Sequence, residues 1–249
     1  QNVATAVPSN RFNRRLGLLG QLEEEFSERG GNVVVKNHRD LYSKTSNMVL
    51  SSDLKAFDIS DEPQSLKDKY GDSNFGRGCL LARRLVEAGT TFVEISSRQA
   101  GRGGAGGMAG NWDTHDDVFE RSTANAEVID PATAALITDL RDRGLLENTV
   151  VLWAGEFGRT PKVNARGGRD HYPRVFNAMI AGGGIKGGQV IGSSTADGTS
   201  VKEDPVTPND LFCSICQCLD VNPAKENMSP LGRPMKIVDG GKPIKQLFS

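Results

Sequence analysis

Neither sign of charge dominates this chain: 30 basic residues are set against 31 acidic ones over 249 positions. A binder of nucleic acid or of an anionic membrane needs a basic surplus or stripe, and none is present. No apolar run approaches the ~20 residues that span a bilayer as a helix. The start, Gln1-Asn2-Val3-Ala4-Thr5, has no initiator Met and no basic segment followed by an apolar core, so no secretory signal is read there. The expectation is that a targeting segment was removed or that the chain is a fragment of a longer protein. Cysteine is sparse, at four residues. Cys213, Cys216 and Cys218 cluster, and Cys79 stands apart. A zinc knuckle needs a second ligand pair at suitable spacing, and His38, His115 and His171 all lie far away in sequence. The cysteines are read as small buried helix residues and leave the compartment open.

What is present begins as helix. Phe12, Leu16, Leu19, Leu22 and Phe26 recur at helical spacing, and Gly30-Gly31 ends that run. Residues 41 to about 57 give a second, weaker helical stretch, and residues 75–88 a third, stopped by Gly89. The β-branched and aromatic run Thr90-Thr91-Phe92-Val93-Glu94-Ile95-Ser96 predicts a strand. A glycine-rich loop over residues 100–110 follows and leads into Asn111-Trp112-Asp113-Thr114-His115. A helix is predicted to start at Asp130-Pro131, with a capping aspartate and a proline preset for the first turn, and to end at Gly144. Residues 149–154 read as a strand buried on both faces, and residues 176–181 as another, closed by Gly182-Gly183-Gly184. A last helix starts at Thr207-Pro208-Asn209-Asp210 and runs to Leu219. Strands separated by helices predict an α/β fold with a mostly parallel central sheet flanked by helices. The whole chain, 1–249, is read as one domain, mainly helical over 1–89 and sheet-forming over 90–249.

In such sheets, sites form at the carboxyl ends of strands. Three loops there hold the polar signals: Asp113-Thr114-His115, Gly155-Glu156-Phe157-Gly158-Arg159-Thr160-Pro161, and Gly168-Arg169-Asp170-His171-Tyr172. Imidazole with carboxylate is a ligand set for zinc, manganese or iron(II), and a set made mostly of carboxylates suits calcium or magnesium. Arg159 and Arg169 could bind a tetrahedral oxyanion through paired N–H donors. The competing reading has the aspartates capping turns, the histidines satisfied in the core, and the arginines paired with Glu156 and the aspartates. His38 reads as a surface residue. Cys79-Leu80-Leu81-Ala82-Arg83 lacks the proline of the formylglycine motif of sulfatases and sits mid-helix, so that role is rejected. The glycines of residues 101–110 do not follow a strand and open a helix, so they predict no nucleotide site.

Several long segments resemble the bacterial domain-of-unknown-function 1501 family, in the right order over roughly residues 55–249. They are the run from Phe75-Gly76-Arg77-Gly78-Cys79 to Gly89, Trp112-Asp113-Thr114-His115, residues 139–161 with Gly-Glu-Phe-Gly-Arg-Thr-Pro, Gly168-Arg169-Asp170-His171, residues 181–188, and Pro230-Leu231-Gly232-Arg233-Pro234. That family is similar to the alkaline phosphatase and sulfatase superfamily. The resemblance implies a mostly parallel sheet and one or two divalent metal ions (zinc, manganese, iron or calcium). It also implies hydrolysis of phosphate or sulfate esters on small molecules or polymers, and a periplasmic or secreted location. Carried over, Asp113 and His115 match the first ligand pair, Glu156 the next strand end and His171 a late histidine. Asp170 is a further ligand or a carboxylate that orients His171. Phe157 departs from the pattern, because the superfamily has an imidazole there. The superfamily also places its nucleophile on a first strand that no residue before 90 supplies. The expectation is therefore a C-terminal portion, with the missing N-terminal part and a second copy as candidate partners. The alternative is a non-catalytic extracellular binding or assembly protein, or a binder of carbohydrate or sulfated polymer.

Overall fold

A computed structural model describes residues 7–97 and 112–249. The glycine-rich stretch expected at 100–110 lies outside the described residues. The chain divides into two compact units, Gln1–Asp61 and Glu62–Ser249.

The first unit is a helical hairpin. Helix α1 (Ser9–Phe26) carries the periodic Phe12, Leu16, Leu19 and Leu22. The chain reverses through Ser27–Gly31, where Gly30 adopts φ 103°, a backbone region that favours glycine. Helix α2 (Asn32–Leu50) then begins ahead of residue 41, the expected start, and a short 3₁₀ turn over Ser52–Phe57 follows it. Arg39 ties the two helices by donating to Glu24 at 2.7 Å and to the Gly20 carbonyl at 3.0 Å. His38 pairs with Glu23.

In the second unit, α3 (Gln64–Tyr70), α4 (Asn74–Glu87) and α5 (Val118–Asp142) pack together. Ser73 caps α4 by accepting from Gly76 N at 2.9 Å, and the helix buries Phe75, Cys79, Leu80 and Ala82. Helix α5 starts well before Asp130, so the predicted start at Asp130-Pro131 is corrected, and Pro131 lies inside the helix. An internal proline costs about 3 kcal/mol. The buried face of Val118, Ile129, Ala132, Leu136 and Leu140 outweighs it.

A buried ionic cluster joins these helices. Arg83, only 1% exposed, pairs with Glu62 at 2.7 Å, Glu87 at 2.6 Å and Asp139 at 2.9 Å. Arg143 donates to Asp139 at 2.7 Å, and the Tyr70 hydroxyl donates to the same carboxylate at 3.0 Å. Arg84 also pairs with Glu62. Burial opposes the charges of Glu62 and Asp139, but their hydrogen bonds and the arginine charges outweigh it. Both carboxyls are held below the ordinary range.

The expected mostly parallel central sheet is corrected. Strand β1 (Val150–Ala154) pairs antiparallel with β4 (Ala178–Gly182), from Val150 opposite Gly182 to Ala154 opposite Ala178. The other ladders, also antiparallel, are β2 (Gly158–Arg159) with β3 (His171–Tyr172), β5 (Ser193–Ser194) with β6 (Val201–Glu203), and β7 (Glu226–Met228) with β8 (Pro234–Lys236). No parallel pair occurs among the described residues. A parallel return needs a crossover, usually a helix, and only β2, β3 and loops lie between β1 and β4. Strand β1 is half-buried, with Leu152 39% exposed, and not covered on both faces as expected. The run at 90–96 forms no strand: a β-branched composition cannot supply a ladder partner.

Helix α6 (Pro208–Cys218) carries the expected capping box: Thr207 Oγ1 accepts from Asp210 N, and Asp210 Oδ2 accepts from Thr207 N at 2.8 Å. All four cysteines are free, with Cys79, Cys213 and Cys216 buried in their helices and Cys218 half-buried. No helix among the described residues is long and apolar enough to cross a membrane.

Candidate metal centre

Two backbone pairings bring distant motifs together. In the β2–β3 ladder Arg159 lies opposite His171. Alongside it, Arg169 N donates to Thr114 O at 2.9 Å, Val118 N donates to Gly167 O at 3.0 Å, and Asp116 bridges Gly167. The segment from Asp113 to Asp116 is thereby drawn against the segment from Arg166 to Asp170. Gly168 permits this approach, because a Cβ there would overlap the His115 carbonyl.

The result is a compact triad. Asp113 Oδ1 lies 3.0 Å from both His115 Nε2 and His171 Nε2, and the two nitrogens lie 3.2 Å apart. His115 Nδ1 is 2.9 Å from Asp170 Oδ1. With the Nδ1–H donated to that carboxylate, the His115 Nε2 lone pair is directed into the triad. Asp170 is held in turn by Asn164 Nδ2 at 3.3 Å, and its own N–H donates to Thr160 Oγ1 at 3.1 Å. Arg159 Nη1 pairs with Asp113 Oδ1 at 2.8 Å, beside the His171 Nε2 contact. The hydrogen bonds from His171 and Arg159, with the charges beside them, hold the Asp113 carboxyl down at about 2. The His115 hydrogen bond likewise holds Asp170 below the ordinary carboxylate range.

The donors fit a metal ion. Bonds from imidazole nitrogen or carboxylate oxygen to zinc run about 2.0–2.2 Å, so donors at right angles around one ion lie about 3.0 Å apart and tetrahedral donors about 3.4 Å. The observed edges of 3.0, 3.0 and 3.2 Å fall in that interval. Two imidazoles with one carboxylate suit zinc, manganese or iron(II) better than calcium, which prefers oxygen.

Of the residues singled out from the sequence, Asp113, His115 and His171 come together. Asp170 orients His115, whereas the sequence paired it with His171. Glu156 stays outside the triad, 63% exposed, with its carboxylate 3.7 Å from Arg159 Nη2. Arg159 reaches the triad; Arg169 does not, and its Nη1 braces the loop by donating to Thr160 O at 2.9 Å. Asn164 is the residue that sequence reasoning missed. Its Oδ1 accepts from Arg166 N at 2.9 Å and Gly168 N at 3.0 Å, and its Nδ2 donates to His115 O at 3.1 Å. The signal that could have found it is an asparagine leading a turn into Gly167-Gly168.

Residues 2–248 match the family described as "Protein of unknown function (DUF1501)". The chain belongs to this family. No curated protein and no solved structure matches it. The DUF1501 match takes in α1 and α2 as well as the segments that carry the motifs.

Aromatic rings border the triad of this DUF1501 chain. Phe157 packs against His171 with centroids 4.5 Å apart and the rings tilted by 55°, and the Arg159 guanidinium lies 5.9 Å from the Phe157 ring centre. Trp112, next to Asp113, meets Trp153 of β1 edge-on at 6.2 Å.

Proposed function

We propose that this DUF1501 protein is a metal-dependent hydrolase of phosphate or sulfate esters, with Asp113, His115 and His171 holding one divalent ion. The observation that carries the reading is the triad: three donor atoms within 3.2 Å of one another, backed by a carboxylate on the far nitrogen of one imidazole. When bound, the ion supplies Lewis acidity toward an ester oxygen and lowers the pKa of a coordinated water. The chain's own residues do the rest. Asp170 fixes the His115 tautomer, and Asn164 fixes Asp170. Arg159 offers N–H donors beside the triad, where a tetrahedral oxyanion with its charge developing would sit. The superfamily resemblance supports the ester class and a location outside the cytoplasm.

Phe157 and the exposure of the triad favour a second reading. By the superfamily resemblance, Phe157 stands where a second ion would need an imidazole, and the Asp113, His115 and His171 side chains are 49%, 34% and 45% exposed. A site of that kind also suits a protein that uses one ion to bind or assemble without turnover.

Elemental analysis of the purified protein decides between these. About one equivalent of metal per chain, lost in Asp113→Ala and His171→Ala, with turnover of p-nitrophenyl phosphate or sulfate, supports the hydrolase. Bound metal without turnover of either ester selects the second reading, and protein that takes up no added zinc or manganese refutes both.

A further inference from the structure

The helical hairpin carries much of its apolar surface on the outside. Helix α1 buries no residue fully, and α2 buries only Val35 and Ser46. On α1, Leu18, Leu22 and Phe26 recur every four residues, and on α2, Val34, Leu41 and Met48 recur every seven, so each set forms one stripe along its helix. All six are between 51% and 67% exposed. Leu22, Phe26 and Val34 line a single groove, so the two stripes share one face of the hairpin. A contiguous apolar face of this kind marks an interaction site.

The charges say what covers it. The first half of α1 is basic, with Arg11, Arg14 and Arg15, and the second half is acidic, with Glu25 beside Glu23 and Glu24, which pair with His38 and Arg39 of α2. A helix with this polarity is complementary to itself when turned end for end. An anionic lipid surface would be repelled by the acidic half, and a partner of uniform charge would meet one half unfavourably. We infer that this face pairs with the same face of a second copy of the chain, with the two α1 helices antiparallel about a two-fold axis at Gly20. In that register Leu18 lies opposite Leu22 of the second copy, and Arg15 opposite its Glu25; each contact occurs twice, as a two-fold interface requires. The two hairpins then form a four-helix bundle that buries both stripes. At 1.5 Å per residue the 18 residues of α1 span about 27 Å, and two helices side by side about 20 Å. That footprint of roughly 500 Å² per copy, before the relief of the side chains is added, approaches the low end of specific interfaces.

Sedimentation analysis of the whole chain across micromolar concentrations tests the pairing. A species of twice the chain mass is expected, and Leu22→Asp, a change at an exposed position, should leave only monomer while far-ultraviolet circular dichroism is unchanged. Arg15→Glu or Glu25→Arg alone should weaken the dimer about tenfold, because two symmetry-related pairs turn repulsive at once, and the two together should restore it. The charge exchange keeps the test valid if Leu22→Asp disturbs the fold. A monomer at every concentration, a dimer indifferent to Leu22→Asp, or a double exchange that fails to restore association would each overturn the inference.

Discussion

Asp113 Oδ1 is faced by His171 Nε2 and Arg159 Nη1, and these partners hold its carboxyl ionised, the form in which a carboxylate ligates a metal. Asp170 acts one step back. Asp170→Ala removes the acceptor from His115 Nδ1, frees the ring to turn and lets the other tautomer form. The affinity for zinc or manganese should fall by about 10- to 100-fold, read by titration calorimetry, with the thermal midpoint nearly unchanged. An unchanged affinity would remove Asp170 from the site. The sequence showed which residues could ligate, because imidazole and carboxylate sit within two positions of each other in both motifs. It did not show roles. Whether Asp170 binds an ion or steers a ring depends on which oxygen faces which nitrogen, and Arg169 and Arg159 look alike until one is found on a backbone carbonyl and the other on Asp113.

At the scale of elements, the site depends on how closely the segment around Gly168 lies against His115. Gly168→Ala forces a Cβ into the His115 carbonyl, so one of the two segments must retreat. We expect a loss of roughly 1–3 kcal/mol in chemical unfolding together with weakened metal binding, since strain of that size accompanies forced backbone displacement. A variant with wild-type stability and affinity would show that the approach is dispensable. Helix boundaries were legible where the chemistry is local. Thr207 and Asp210 form their capping box from neighbouring atoms alone. Pro131 misled because proline fits a first turn well, and only tertiary burial of Ile129 and Leu136 reveals a helix running through it. Strand direction was not legible: the apolar run at 150–154 specifies that a strand forms but not that its partner returns antiparallel from 178–182.

For the molecule as a whole, the Arg83 cluster sets the response to acid. Glu62 and Asp139 have folded-state pKa values below their unfolded ones. Their contribution to stability is therefore complete above the unfolded pKa, near 4, and is lost as pH falls through the depressed folded values. The thermal midpoint should hold from neutrality to about pH 5 and then drop, and Asp139→Asn should flatten that drop while lowering the midpoint at neutral pH. An acid profile unaltered by Asp139→Asn would sever the cluster from acid stability. Removing Arg83 itself, as in Arg83→Ala, takes one partner from each of three carboxylates that keep Arg84 or Arg143, and should cost about 3 kcal/mol in chemical unfolding.

The placement of Trp112 beside Trp153 has an optical consequence. The chain holds two tryptophans, and both are in that one edge-on pair, with Trp112 adjoining Asp113 in sequence. Near-ultraviolet excitation at the red edge therefore draws emission from a single neighbourhood of the protein. A paramagnetic ion such as manganese, settling within the triad, would dim the fluorescence of the entire molecule without any attached dye.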